Sequence, residues 1–113
     1  MKKVIKGGKV ATATDVFEAD LLIEDGVITQ IAKKIDVADA EVIDASGKYV
    51  MPGGIDPHTH LDMPFNNTVT DDDWESGTIA AAFGGTTTIL DFCLSAGETK
   101  LADAVAKWHT KAQ

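Results

Sequence analysis

The residues whose types and spacing best suit chemistry are His58 and His60, which lie in the segment "GGIDPHTHLDMPF". Alternate side chains of a β-strand point to the same side, so a strand here would place both imidazoles on one face with Asp56, and with Asp62 if the strand extends that far. Two imidazoles at positions i and i+2 at the end of a strand can bind one metal ion. The alternative is a pair of solvent-facing histidines on an edge strand, hydrogen-bonded to neighbouring carboxylates, because His-x-His is short and common by chance.

The sequence after residue 52 is predicted to alternate between strand and helix. A short strand over Ile55–His60 leads through a polar, turn-rich segment into a helix over Trp74–Phe83, which Gly84-Gly85 would end in a left-handed cap. The apolar, β-branched run "TTTILDFCL" is typical of a strand buried on both faces of a parallel sheet. A final helix is indicated by apolar residues at helical spacing, namely Leu101, Ala104, Val105, Trp108 and Ala112. This order predicts an α/β fold, in which the carboxyl ends of the strands carry the chemistry.

The first 52 residues show short strands separated by turns. The clearest hairpin runs from Ala19 to Ala32 and turns at Asp25-Gly26, a dipeptide that tolerates the positive φ angles of a tight turn. We also expect a second hairpin between "AEVID" and "KYVMP", and separate short strands on either side of Gly7-Gly8. These elements predict a β-sheet domain over residues 1–52, followed by an α/β domain over residues 53–113. A sheet domain this small is marginal alone and should pack against further structure.

Composition and charge exclude several classes of partner. The chain has 18 acidic residues and 10 basic ones, for a formal net charge of -8, and every basic residue is lysine. An acidic surface argues against nucleic acid, and the lack of arginine leaves no guanidinium fork for an anionic substrate. The single cysteine, Cys93, excludes an internal disulfide, and the pattern predicts neither a signal peptide nor a membrane span. We therefore expect a cytoplasmic protein with a small ligand and no nucleic-acid or membrane partner.

Two long motifs, "VMPGGIDPHTHLDMPF" and "SGTIAAAFGGTTTILDFC", together with the strand-rich beginning, resemble the N-terminal part of the amidohydrolase superfamily, specifically of dihydropyrimidinases and bacterial D-hydantoinases. The resemblance covers essentially the whole chain. It implies that residues 1–52 are the N-terminal part of a small β-sandwich domain and that residues 53–113 are the first two βα units of a TIM-like (β/α)8 barrel. The chain would then be truncated after about two βα units, and the exposed edges of a two-stranded parallel pair agree with that expectation.

The resemblance also implies a site with two divalent metal ions, expected to be zinc, in which His58 and His60 bind the more buried ion. Hydroxide held between the metals would open a hydantoin or dihydropyrimidine ring to an N-carbamoyl amino acid. The family's bridging carboxylated lysine, two further histidines and proton-shuttling aspartate would lie beyond Gln113, so we expect the 113-residue chain alone to be inactive. The full-length protein is expected to be a homo-oligomer, a tetramer.

Met63, Phe65 and Asp62 bear on the substrate. Met63 and Phe65 resemble the loop that lines the substrate pocket of hydantoinases; otherwise they would be core residues awaiting a partner. The corresponding segment of dihydroorotases, and commonly of allantoinases, resembles the pattern His-x-His-x-Arg. This chain has Asp62 in place of that arginine. An acid there would repel an anion, which favours a neutral cyclic diamide. Allantoinase-type or dihydroorotase-type hydrolysis and a non-catalytic scaffold stay as alternatives, and the choice between hydantoin and dihydropyrimidine, the stereochemical preference and the metal stay open.

The remaining polar residues have simpler interpretations. Asp56 could orient an imidazole through its second ring nitrogen, or it could stabilise a turn. Without metal, we expect His58 and His60 to pair with water or with Asp56. The acidic run ending at Asp73 is predicted to begin the helix at Trp74, where negative charge complements the helix dipole. A Cys–His nucleophile pair formed with Cys93 is disfavoured, because the only other nearby histidine, His109, lies on a predicted helix.

Overall fold

The computed structural model describes residues 1–95 and 100–113. The chain forms two compact units, Met1–Pro52 and Gly53–Gln113. The strands of the first unit are β1 (Lys2–Ala11), β2 (Val16–Glu24), β3 (Val27–Ala32), β4 (Glu41–Asp44) and β5 (Tyr49–Val50). The elements of the second unit are β6 (Gly54–Thr59), β7 (Pro64–Phe65), β8 (Thr68–Val69), α1 (Trp74–Phe83), β9 (Thr86–Asp91) and α2 (Leu101–Lys111). No helix among the described residues is long and apolar enough to span a membrane.

The first unit is a five-stranded sheet in which β1 lies at the centre. The β2–β3 hairpin is confirmed, and its turn residues Asp25 and Gly26 have φ angles of 50° and 85°. Strands β4 and β5 each pair in parallel with β1, so the predicted second hairpin between them is wrong. The turn that joins them runs alongside β1 instead of reversing the chain, because Ala45 N–H donates to Lys6 O and Lys9 N–H donates to Lys48 O.

Strand β1 is continuous, so the prediction of two separate strands around Gly7-Gly8 is also wrong. The register with β2 shifts between Ile5 and Gly8, which marks a β-bulge, and Gly7 has a φ of 70°. The buried Asp20 side chain stabilises this bulge: its Oδ1 accepts a hydrogen bond from Gly7 N at 2.9 Å, and its Oδ2 accepts one from Ile35 N at 3.0 Å. The glycine pair therefore bends one strand instead of separating two.

Apolar side chains are buried on both faces of the first sheet. One cluster contains Val4, Leu22 and Ile35, and the other contains Val10, Ala19 and Leu21. Because Leu21 and Leu22 are neighbours in one strand, they point to opposite faces, and the two clusters lie on opposite sides of the sheet.

The second unit pairs β6 and β9 in parallel, with α1 in the connection between them. The predicted start of α1 is confirmed, since Asp73 and Ser76 form a reciprocal capping box with N···O distances of 2.8 and 3.1 Å. The predicted glycine cap is also present, with Gly85 as its left-handed residue at a φ of 85°. The final helix is confirmed as α2, which buries Ala104 and Trp108.

The strands of the second unit differ from the predictions in their ends, their burial and their number. β6 ends at Thr59, so His60 follows the strand, and β9 ends at Asp91. Residues of β9 are half-buried or exposed rather than buried on both faces, because the described sheet has only two strands. A short hairpin between β7 and β8 was not predicted; its turn residues Asn66 and Asn67 have φ angles of 46° and 64°, as a two-residue turn requires.

Candidate metal site

The two histidines of the candidate site lie side by side where β6 ends. His58 is exposed and His60 is half-buried. Asp56, which lies within β6, accepts a hydrogen bond from the backbone N–H of His58 at 3.1 Å. The two roles predicted for Asp56, orienting an imidazole or stabilising a turn, therefore stay predictions.

The ring nitrogens of the pair face each other. Nε2 of His58 lies 3.2 Å from Nε2 of His60, and the rings are nearly perpendicular, with an interplanar angle of 84°. Two metal–nitrogen bonds of about 2.05 Å at a tetrahedral angle would separate two ligand nitrogens by roughly 3.3 Å. The distance thus matches two positions of one coordination sphere. Of the two partners expected without metal, water or Asp56, the Asp56 carboxylate binds the backbone N–H of His58 and neither ring.

The pair does not complete a metal site within the part of the chain that is described. No group of three or more His, Cys, Asp or Glu side chains suited to a metal ion occurs among residues 1–95 and 100–113. Nδ1 of His60 is buried there without a hydrogen-bond partner, although a ligating imidazole usually donates through its second nitrogen. The described residues thus bring two candidate ligands together, and the metal role of His58 and His60 stays a prediction.

The aromatic ring of Phe92 contacts both imidazoles. Its ring centroid lies 4.4 Å from that of His58 and 5.2 Å from that of His60. The backbone N–H of Phe92 donates to Thr59 O at 3.2 Å, so the residue after β9 is tied to the end of β6. Phe92 therefore contacts both imidazoles, which the strand pattern alone did not indicate.

Asp91, at the end of β9, is the second residue that sequence reasoning missed. Its Oδ1 accepts hydrogen bonds from Thr59 Oγ1 at 2.8 Å and from Leu61 N at 3.0 Å, and its Oδ2 accepts one from Trp108 Nε1 at 2.8 Å. The one sequence signal was an acid at the end of an otherwise apolar, β-branched run. A carboxylate in that position needs partners, and here it has three.

Asp62 forms an ion pair with Lys111 of α2. Lys111 Nζ lies 2.8 Å from Asp62 Oδ2 and also donates to the Asp62 backbone oxygen, while it stands 5.1 Å from the ring centroid of Trp108. Asp62 has a φ of 46° and follows the end of β6, so strand alternation does not place it on the face of the histidines. Because Lys111 offsets its charge, the predicted repulsion of anions by Asp62 loses its basis.

Four other residues were considered for the site from the sequence: Met63, Phe65, Cys93 and His109. Met63 forms two hydrogen bonds with Thr70, through its backbone N and O, and Phe65 belongs to β7 with 60 % of its surface exposed. Cys93 and His109 line one shallow cleft with Trp108, but no hydrogen bond joins the two within the described residues. The structure thus leaves the Cys–His nucleophile pair without support.

Known proteins have sequences and folds similar to those of this chain. The chain is 65% identical over 112 residues to the D-hydantoinase of Geobacillus stearothermophilus, with 99% of this chain and 24% of that protein covered. A solved D-hydantoinase structure matches with a TM-score of 0.96 at 62% identity, over 99% of this chain and 24% of that one. The dihydropyrimidinase of Brevibacillus agri NCHU1002 matches with a TM-score of 0.94 at 56% identity, over 98% and 24% of the two chains.

The chain spans about a quarter of the length of these relatives. A sequence profile described as the amidohydrolase family matches residues 41–111, which is more than half of the chain and includes both histidines. The chain therefore belongs to the amidohydrolase family.

Proposed function

We propose that the protein to which this chain belongs is a metal-dependent hydrolase that opens hydantoin or dihydropyrimidine rings. Water is added across the amide C–N bond, so that the carbonyl carbon becomes a carboxylate and the ring nitrogen takes up a proton, which yields an N-carbamoyl amino acid. The observation that carries this proposal is the separation of 3.2 Å between the Nε2 atoms of His58 and His60. Support also comes from the names of its relatives, a D-hydantoinase at 65% identity and a dihydropyrimidinase at 56%.

In the proposed architecture, residues 1–52 form part of a β-sandwich domain and residues 53–113 form the first two βα units of a (β/α)8 barrel. The parallel pairing of β6 and β9 around α1 supports this. So does the exposure of Ile55 and Leu90, apolar strand residues that further barrel elements would cover. The histidine pair would then lie at the catalytic face of the barrel.

His58 and His60 would hold a divalent ion, for which we propose zinc in a pair of metal ions. Such ions supply a water of lowered pKa and polarise the carbonyl under attack. The bridging carboxylated lysine and the remaining ligands would come from outside these 113 residues. Within the chain, the Phe92 ring packs against both imidazoles.

Met63 and Phe65 are proposed to line the substrate pocket. The β7–β8 hairpin and the hydrogen bonds between Met63 and Thr70 fix their backbone, while the Phe65 ring stays exposed for contact. We propose a small neutral diamide as substrate because the chain has a net charge of -8 and no arginine to pair with a carboxylate. A cytoplasmic homotetramer completes the proposal.

A chimeric enzyme tests this function. The matching segment of the Geobacillus stearothermophilus D-hydantoinase would be replaced by these 113 residues, and the formation of N-carbamoyl product from hydantoin and from dihydrouracil would be measured. We expect both activities to be present and His58→Ala or His60→Ala to lower kcat/KM by at least about 100-fold. His109→Ala, which changes an exposed histidine of α2, is the matched control and should leave kcat/KM unchanged.

Two results would contradict the proposal. One is a chimera that hydrolyses either substrate at an undiminished rate after both His58 and His60 are replaced. The other is a folded, metal-loaded chimera that hydrolyses neither substrate, which would favour the scaffold alternative.

A further inference from the structure

The Asp91 carboxylate joins three segments of the second unit. Its Oδ1 binds the hydroxyl of Thr59 and the backbone N–H of Leu61, and its Oδ2 binds the indole N–H of Trp108. Thr59 ends β6, and Leu61 follows after one residue, so both partners of Oδ1 are the immediate neighbours of His60. One oxygen atom thus fixes the chain on either side of the second histidine.

Other contacts hold the same two neighbours. Thr59 O accepts a hydrogen bond from Phe92 N at 3.2 Å, and the side chain of Leu61 is buried. A methyl group added at Gly77 would come within 2.4 Å of Leu61 Cδ2, so helix α1 and Leu61 pack closely at a residue without a side chain. The His60 ring itself contacts His58 and Phe92, and its Nδ1 has no hydrogen-bond partner among the described residues. The placement of the ring therefore depends on the backbone of His60 as well as on these two contacts.

We propose that Asp91 is a positioning residue that sets the orientation of the His60 imidazole relative to His58. Trp108 supports it by holding Oδ2, which connects helix α2 to the histidine pair. The consequence for metal binding rests on the proposed function, whereas the consequence for the metal-free geometry of the two rings does not.

Asparagine at position 91 provides a sharp test. Its amide has one acceptor oxygen, which can still bind Thr59 and Leu61, but its NH2 group would then oppose the indole N–H of Trp108. Asp91→Asn should therefore disturb the pair, and adding Trp108→Phe should restore it by removing the opposing donor. Because Asp91 and Trp108 are in contact, their effects on stability need not add, so stability alone would not separate the two roles. A residue that contributed only stability would leave the His60 ring resonances of the folded chain unchanged.

The experiment measures histidine ring 15N resonances of the full chain by NMR, first without metal and then during titration with Zn2+. Asp91→Asn should shift the His60 ring resonances and weaken Zn2+ binding by about 10-fold or more. The Asp91→Asn/Trp108→Phe double variant should recover most of both effects. Trp108→Phe alone removes the partner of Oδ2 but leaves both bonds to Oδ1, so it should have a smaller effect than Asp91→Asn. Asp71→Asn, at an exposed aspartate of the same unit, should have none.

Unchanged His60 resonances in folded Asp91→Asn would overturn the inference, as would a double variant that is no better than Asp91→Asn. If the unmodified chain failed to bind Zn2+ through the pair, the proposed metal role of His58 and His60 would lose its support. The metal-free resonances would still decide the role of Asp91.

Discussion

The two units of this chain are held together in different ways. The first unit contains seven of the ten buried apolar residues found in the described chain: Val4, Val10, Ala19, Leu21, Leu22, Ile35 and Ala45. The second contains only three, Leu61, Ala104 and Trp108, and it also has two buried polar atoms without partners, His60 Nδ1 and Trp74 Nε1. The first unit is thus organised by apolar packing on a sheet, and the second by polar contacts at the end of a strand pair.

Each unit also contains a carboxylate that connects distant segments. Asp20 binds two backbone N–H groups and stabilises the bulge of β1, so its effect is on the sheet. Asp91 binds a hydroxyl, a backbone N–H and an indole, and two of these three partners flank a candidate metal ligand. A carboxylate that accepts several hydrogen bonds thus stabilises the sheet in the first unit. In the second unit, a similar carboxylate is proposed to set the geometry of the histidine pair.

The largest predicted effect is that of Asp20→Ala. It would leave two backbone N–H groups without their carboxylate partner, and we expect a loss of about 3 kcal/mol in the stability of the first unit. Amide hydrogen exchange, read residue by residue, should show this loss in β1 and β2. Glu18→Ala, at an exposed acid of β2, is the control. Equal loss in β6 and β9 would show that the two units do not differ in the way described.

Truncation of an apolar side chain compares the units directly. Val4 is 1% exposed and Ile55 is 65% exposed. Val4→Ala should therefore cost about 2 kcal/mol in urea unfolding, whereas Ile55→Ala should cost less than about 0.5 kcal/mol. A cost for Ile55→Ala equal to that of Val4→Ala would mean that the second unit has an apolar core of similar importance.

Acid should weaken the first unit through Asp20. The N–H of Gly7, followed by that of Ile35, holds the pKa of Asp20 below its ordinary value. The folded pKa thus lies below the unfolded one, so this stabilisation is complete above the unfolded pKa of about 4 and is lost as the pH falls through the folded pKa. The effect should be smaller than that of Asp20→Ala, since a protonated carboxyl still accepts hydrogen bonds. Urea midpoints measured from pH 7 to pH 2 should fall less in Asp20→Asn than in the unmodified chain; equal falls would contradict this.

A further predicted loss concerns the start of α1. Asp73→Ala would remove the side-chain cap of this helix and cost about 1 kcal/mol. Hydrogen exchange should increase in the first turn of α1, with Asp71→Ala, at an exposed neighbour, as the control. If exchange in β1 and β2 rose as much, the loss would not be local to the second unit.

Local patterns predicted much of this fold. Asp25-Gly26 indicated the β2–β3 turn, and the acidic run with Gly84-Gly85 gave the bounds of α1, because turns and caps depend on residues close in sequence. The spacing of His58 and His60 also predicted neighbouring imidazoles, although His60 lies just beyond the strand.

Long-range partners could not be predicted in the same way. The parallel pairing of β4 and β5 with β1 joins segments that are far apart in sequence, and a turn signal between β4 and β5 was read as a hairpin. The same holds for Asp91, whose partners Thr59 and Leu61 lie 32 and 30 residues away. A carboxylate in a strand pattern shows that partners are needed but does not say which groups approach it.

The central claim is that His58 and His60 act together as ligands of one metal ion, and a Zn2+ titration of the chain followed by histidine ring 15N resonances tests it most directly. The chain has three histidines, so His109 on α2 serves as an internal reference. We predict that the Nε2 resonances of His58 and His60 shift together and saturate together, while those of His109 do not move. Shifts confined to His109, or independent titration of His58 and His60, would contradict the account.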